Sequence, residues 1–184
     1  DAVARAVERT ASPGDLVLLN PWYNGISWRR YYRGPAPWIT LPEIADLRFH
    51  RYDLLKERLA SERPIDGTLE RLGATLAAGH RVWVVGGLHL LKPGRPPLTL
   101  PPAPGSPWGW FDVPYAVAWS QQTGVYLATH ANRLSAVDTA NPDTPGTVSD
   151  YERLRLLVFD GWRAPAGLKP GIGGIGGIGA TSAP

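Results

Sequence analysis

His50, Arg51, Tyr52 and Asp53 form the most polar knot of this sequence, where an extended stretch turns into a helical pattern. An imidazole can carry a proton near neutral pH, and a carboxylate nearby can hold a metal or a hydroxyl. The same residues have a plainer use. Asp53 falls where a helix N-terminus favours a carboxylate, with Arg51 beside it as its partner, and a lone His-x-x-Asp spacing carries less weight than that arrangement. Upstream, Asn20, Trp22, Tyr23, Arg30 and Tyr31 belong to a stretch dense in Trp, Tyr and Arg that follows an apolar run at residues 16–19. Such side chains offer flat apolar faces with polar tips and fixed donors, the composition of a surface that stacks on a sugar or holds a phosphate ester. Any single aromatic is as readily core or lid packing, but the group as a whole reads as a binding surface. It is not a catalytic set, because no nucleophile stands beside a base at a diagnostic spacing.

Other chemistries are weaker still. His80, His89 and His130 are too dispersed to assemble a metal site, and without cysteine there is neither a thiolate site nor a disulfide framework. Gly86 and Gly87 follow an apolar run, yet the remaining glycines and the helix of a dinucleotide-binding turn are missing. Ser12, Ser27, Ser61, Ser106 and Ser120 lie in no nucleophile-elbow context. No cofactor is indicated. The 184 residues carry a formal charge of +3 with Arg and Glu interleaved, which disfavours nucleic acid as a partner. No apolar run reaches the length of a membrane span or a signal peptide.

The elements that position these residues repeat one unit: helix, short turn, buried strand. Val3 and Val7 share a face of a helix over residues 2–10, ended by Ser12, Pro13 and Gly14 before the strand at 16–19. Residues 38–41 make a short strand fenced by prolines, placing it at a sheet edge. A helix follows over about 51–61. Asp66 is the expected N-cap of a helix over 68–78, Gly79 its C-terminal cap, and residues 81–85 a second buried strand. Residues 88–107, rich in Pro and Gly, form a long loop. Asp112 as N-cap and Pro114 open a further helix that runs through Leu127, Ala131 and Leu134, with Gly124 as a kink. Residues 151–159 alternate as a half-exposed edge strand. Continuous apolar strands alternating with helices predict an α/β fold, a Rossmann-like layered sandwich with a mainly parallel sheet and helices on both faces. Residues 1–163 form a single domain, and the Gly/Pro-rich tail at 164–184 buries too little to order itself. In such a sheet the ligand crevice lies beyond the carboxyl ends of the parallel strands, which places Asn20, Trp22 and Tyr23 opposite Gly86 on one rim.

Several strings, GDLVLLNPWYNGIS at 14–27, RYY at 30–32, WITLP at 38–42, HRYDLL at 50–55 and GHRVWVVG at 79–86, resemble the soluble region that follows the transmembrane helices of some bacterial membrane glycosyltransferases. These are similar to the family 39, dolichyl-phosphate-mannose-protein mannosyltransferase-like group, over roughly residues 2–162. The resemblance implies an extracytoplasmic accessory domain at the cell membrane, on the periplasmic side. Its partners would be a glycan or polyprenyl-phosphate sugar and the transmembrane portion of the same polypeptide. It would be inactive alone, since the family's catalytic acidic residue corresponds to no position here. The start at Asp1 and the lack of any Met fit a piece of a longer chain. Beside it stand two alternatives: a free-standing α/β hydrolase acting on a sugar or phosphate ester through His50 and Asp53, and a purely structural interaction domain.

Overall fold

The computed structural model describes residues 2–139 and 154–164. The chain enters through α1 (Ala2–Thr10), which buries Val3, Ala4 and Val7, and continues into β1 (Leu16–Asn20), whose five residues are all buried. Between them Asp15 folds the turn back on itself, its carboxylate accepting from Ser12 N–H at 3.0 Å. Then come α2 (Asn24–Tyr31), β2 (Trp38–Thr40), α3 (Tyr52–Leu59), α4 (Asp66–Ala77), β3 (Val82–Gly86), α5 (Asp112–His130), β4 (Ala131–Val137) and β5 (Leu156–Trp162). The strands form one mixed sheet in the order β2-β1-β3-β5-β4. β1 pairs in parallel with both β2 and β3, whereas β5 runs antiparallel to β3 and β4. The register sets Leu18 against Val84 and Asn20 against Gly86, so the two central strands end level with each other.

Alternation along the strands divides the apolar residues into two clusters. Leu16, Leu18, Val82, Val84 and Phe159 pack with Leu55 and Leu59 of α3, Leu72 and Leu76 of α4, and Trp119 and Leu127 of α5. Val17, Leu19, Trp83, Val85 and Val158 pack with Val3 and Val7 of α1 and with Trp28 and Tyr32. Each fully buried aliphatic chain contributes roughly 1.5–3 kcal/mol of transfer free energy, so these clusters dominate the stability of the sheet. At the N-terminal ends of β1 and β3 the Asp15 carboxylate, only 2% exposed, also accepts from Arg81 N–H (2.9 Å), Arg81 Nε–H (3.1 Å) and Trp83 Nε1–H (3.0 Å). Burial alone would raise its pKa, but these donors together with Ser12 N–H outweigh burial and hold it below the ordinary carboxylate value.

The structure revises several sequence-based expectations. Asp66 is the first residue of α4, not its N-cap; Ile65 holds the capping position without a side-chain bond, and Asp66 pairs with Arg63 instead. Asp112 likewise begins α5, with Phe111 at the cap. The helix expected through Leu134 stops at His130, and the chain turns directly into β4, where Leu134 is exposed. Leu127, Ala131 and Leu134 fit a helical face by spacing, but pairing with β5 captures the last two in a strand. With β4 paired beyond it, β5 is an interior strand and not an edge; β2 and β4 are the edges. Gly124 lies inside α5, which runs without a break from Asp112 to His130. An added Cβ there would lie 3.0 Å from the His89 carbonyl, so the glycine lets the loop after β3 lie against the helix.

Other expectations match. Gly79 ends α4 with φ +81°, and the bonds Gly79 N–H to Leu76 O and His80 N–H to Thr75 O complete a Schellman cap. Residues 87–111 contain neither helix nor strand, and β2 is a short edge strand. The expectation for the tail falls outside the described residues. No helix among the described residues is long and apolar enough to cross a membrane.

Candidate functional site

Asn20 and Gly86 are the last residues of β1 and β3 and face each other across the ladder. The approach is so close that a Cβ on Gly86 would fall 1.7 Å from the Asn20 carbonyl oxygen, and Gly86 has φ +101°, which favours glycine. The Asn20 side chain, nearly buried, donates to Gly87 O and, at 3.2 Å, to the Ser120 hydroxyl on α5. Ser120 Oγ also accepts from His89 N–H at 3.0 Å and lies 3.2 Å from His89 Nδ1. With both lone pairs of the hydroxyl occupied, its own proton goes to Nδ1, which assigns the ring proton of His89 to Nε2. A serine, an asparagine and a histidine separated by up to 100 residues thus form one polar junction at the strand ends. Ser120 is 2% exposed, so its hydroxyl is a positioning group for His89 and is not open to a substrate.

Two residues past β1, the chain builds an aromatic group. The Trp22 ring is buried, 3% exposed, and belongs to the core cluster with Leu18. Tyr52 meets it edge-on at 5.7 Å, His50 at 6.0 Å and Tyr23 at 6.2 Å. His50 and Tyr52 are stacked nearly parallel, with centroids 6.0 Å apart and planes 14° apart, and Tyr23 lies 6.5 Å from His50. Tyr23 is 48% and Tyr52 55% exposed, and His50 is exposed as well. Trp22 is therefore the floor of the group and the other three rings are its open faces. Edge-to-face packing on a buried indole fixes the rings before any ligand arrives.

Arg51 lies between His50 and Tyr52 in sequence, but its guanidinium is occupied. Nε and Nη2 reach the Asp53 carboxylate at 2.8 and 2.5 Å, and Nη1 reaches Asp46 at 2.8 Å. Asp46 in turn holds Arg48 at 2.9 Å. The bonds from Arg51 hold the Asp53 carboxyl at about 2, and those from Arg48, then Arg51, hold Asp46 lower still. Both carboxylates stay ionised at any physiological pH and neither serves as a proton donor. Asp53 sits in the first turn of α3, as its spacing implied.

Arg30 and Tyr31 lie at the far end of α2, about 9 Å along the axis from Asn24. Both are exposed, but no ring contact or ion pair among the described residues ties them to the Trp22 group. The same helix sends Trp28 to the second core cluster, stacked 4.7 Å from Tyr32. A cavity of about 480 Å³ opens beside β2, lined among others by Arg29, Trp38, Thr40, Glu43, Asp46 and Arg48. Asp46 joins its wall to Arg51.

The structure thus brings Trp22, Tyr23, His50 and Tyr52 together, places Asn20 and Gly86 at the adjoining strand ends, and leaves Arg30 and Tyr31 apart. Sequence reasoning missed Ser120 and the role of His89, since nothing local distinguishes a helix serine that will meet a strand end 100 residues earlier. It also missed the cavity, whose walls come from α2, β2 and the loop after it. Compared with protein-family models, curated proteins and solved structures, the chain matches none of them.

Proposed function

We propose that this chain is an extracytoplasmic accessory domain of a polyprenyl-phosphate-sugar-dependent membrane glycosyltransferase, which binds glycan and leaves catalysis and membrane anchoring to other parts of the polypeptide. The observation that carries the binding part is the group of three exposed rings, Tyr23, His50 and Tyr52, held edge-on to the buried Trp22. Sugar rings present flat C–H faces that stack on aromatics at little entropic cost when the aromatics are already fixed. The membrane-enzyme part rests on the resemblance of the strings at 14–27, 38–42, 50–55 and 79–86. A Rossmann-like arrangement with helices on both faces belongs to the same reading. It is supported by the division of the core, in which α1 and α2 contribute to one cluster and α3, α4 and α5 to the other.

The neutral face of a glycan suits the ring group better than a phosphate does, because Arg51 is already neutralised by Asp46 and Asp53. The same pairing counts against a hydrolase built on His50 and Asp53: the carboxylate is committed to Arg51 and strongly ionised.

The test is a titration of the protein with a panel of oligosaccharides, following the NMR signals of Tyr23, His50 and Tyr52. Saturable shifts at these three rings are expected, with binding weakened at least tenfold in a Tyr23→Ala/Tyr52→Ala double variant of unchanged Tm. In the full-length enzyme the same variant should lower sugar transfer. Full affinity and full transfer in that variant would remove the ring group from the function.

A further inference from the structure

A second set of exposed aromatics stands next to the first. Trp108, Trp110 and Phe111, between the long loop and α5, are 50%, 46% and 54% exposed. Their backbone is not loose. The buried Ser106 hydroxyl accepts from Trp108 N–H at 3.0 Å, Gly109 N–H bonds Ser106 O at 2.9 Å, and Phe111 N–H bonds Trp108 O at 3.0 Å. A tip pinned by its own hydrogen bonds, with its rings left outside, is built for contact with something other than this chain's core.

Lys56 joins the two sets. Its Nζ lies 5.7 Å from the centre of the Trp110 ring. Lys56 is on α3 four residues after Tyr52, so their side chains are neighbours on one helix face, roughly 6 Å apart. The Trp110 ring therefore lies against Lys56, whose backbone stands one helical turn along α3 from Tyr52. The charge between them is open. Arg51 is clamped by two carboxylates, whereas Lys56 takes part in no ion pair among the described residues. Residues 71–111, which supply the tip, contain no Asp or Glu at all.

Resting on the glycan-binding reading, we propose that the two aromatic sets are stacking stations of one elongated site. Lys56 is its anion contact, and the ligand is a negatively charged oligosaccharide of at least two residues. The charge sits on a carboxylate or phosphate substituent of the sugar. Rings stacked at Tyr23, His50 and Tyr52 hold one residue, Trp110 holds another, and the substituent meets the ammonium between them. A cation in contact with an aromatic face and lacking a carboxylate partner keeps its full attraction for an incoming anion.

The experiment is isothermal titration and NMR of the protein with tri-galacturonate, galacturonate, neutral maltotriose and glucose 6-phosphate, with anionic phosphatidylglycerol vesicles alongside. Tri-galacturonate is expected to bind at least tenfold more tightly than galacturonate and maltotriose. Lys56→Gln should abolish the preference for charge, and Trp110→Ala the dependence on length, with Tyr52→Ala weakening every ligand. A response to glucose 6-phosphate that is lost in Lys56→Gln would identify phosphate as an acceptable source of the charge. Equal binding of neutral and acidic trimers, unaffected by Lys56→Gln and Trp110→Ala, overturns the elongated anionic site and leaves the glycan reading standing. No response of Tyr23, His50, Tyr52 or Trp110 to any saccharide overturns both. Binding to the vesicles alone, with a blue shift of tryptophan emission removed by Trp110→Ala, also overturns the proposal and makes the surface a lipid contact.

Discussion

The polar junction at Ser120 and the ring group over Trp22 sit within a few residues of the same strand end, yet they are built on opposite principles. At the junction Asn20 and Ser120 are buried and every partner is hydrogen-bonded: Asn20 to Gly87 O and Ser120, and Ser120 to His89. Removing either of the two buried members leaves the other short of a partner away from water, so the junction is costly to disturb. In the ring group only the floor is buried. Tyr23, His50 and Tyr52 keep solvent on one side, and losing any of them uncovers little. The first region fixes where β1, β3 and α5 meet, and the second uses that fixed frame to present faces.

If this contrast is right, the largest effect comes from the seam itself. Gly86→Ala places a Cβ against the Asn20 carbonyl at a φ of +101°, and a loss of stability of about 3 kcal/mol or more is expected in denaturant unfolding. A loss under 1 kcal/mol would mean that the strand ends are free to part. Trp22→Ala removes the buried floor and should cost about 3–5 kcal/mol. It should also shift the NMR signals of His50 and Tyr52, because the ring current of their edge-on partner is gone.

Ser120→Ala is smaller, about 1–3 kcal/mol, since Asn20 and His89 each lose a buried partner. Its specific readout is the nitrogen NMR of His89. The Nε2–H form should dominate in the unmodified protein and give way to a mixture in the variant. An unchanged tautomer in the variant would show that Ser120 does not hold the ring. Tyr52→Ala belongs at the other extreme. It should change stability by no more than about 0.5 kcal/mol while weakening glycan binding, which separates a presenting residue from a supporting one.

Acid should probe the polar knot at the opposite ends of the same strands. The Asp15 carboxyl is depressed in the folded protein, so its contribution is fully present above the unfolded value near 3.8 and is lost as pH falls through the folded value. Thermal unfolding followed from pH 6 to pH 2 should show Tm falling below about pH 4 for this reason. Asp15→Asn should lower Tm at pH 6 and flatten that acid limb. An equally steep limb in the variant would assign acid sensitivity to other carboxylates.

Much of the central frame was legible because its signals are local. Residues 16–19 and 82–85 are unbroken apolar runs, as strands covered on both sides require, and Gly79 marks the end of α4 by its backbone freedom. The aromatic stretch from Trp22 to Tyr52 announced itself by composition. What escaped was set by pairing at a distance. β4 read as helix because Leu127, Ala131 and Leu134 keep a helical spacing, and only the presence of β5 beside it turns that segment into an edge strand. The tip at 108–111 was passed over because Pro and Gly dominate its surroundings and nothing in the run shows that Lys56 waits beside Trp110.

The sequence by itself determined the buried strands, the helices between them and the supply of rings and guanidinium groups, because burial periodicity and residue type are properties of neighbours along the chain. Tertiary structure alone decided that Trp22 is a floor and Tyr52 a face, that Arg51 is neutralised while Lys56 is not, and that Ser120 orients His89. Those outcomes depend on which distant groups arrive within 3 to 6 Å, and desolvation and charge pairing act only at that range.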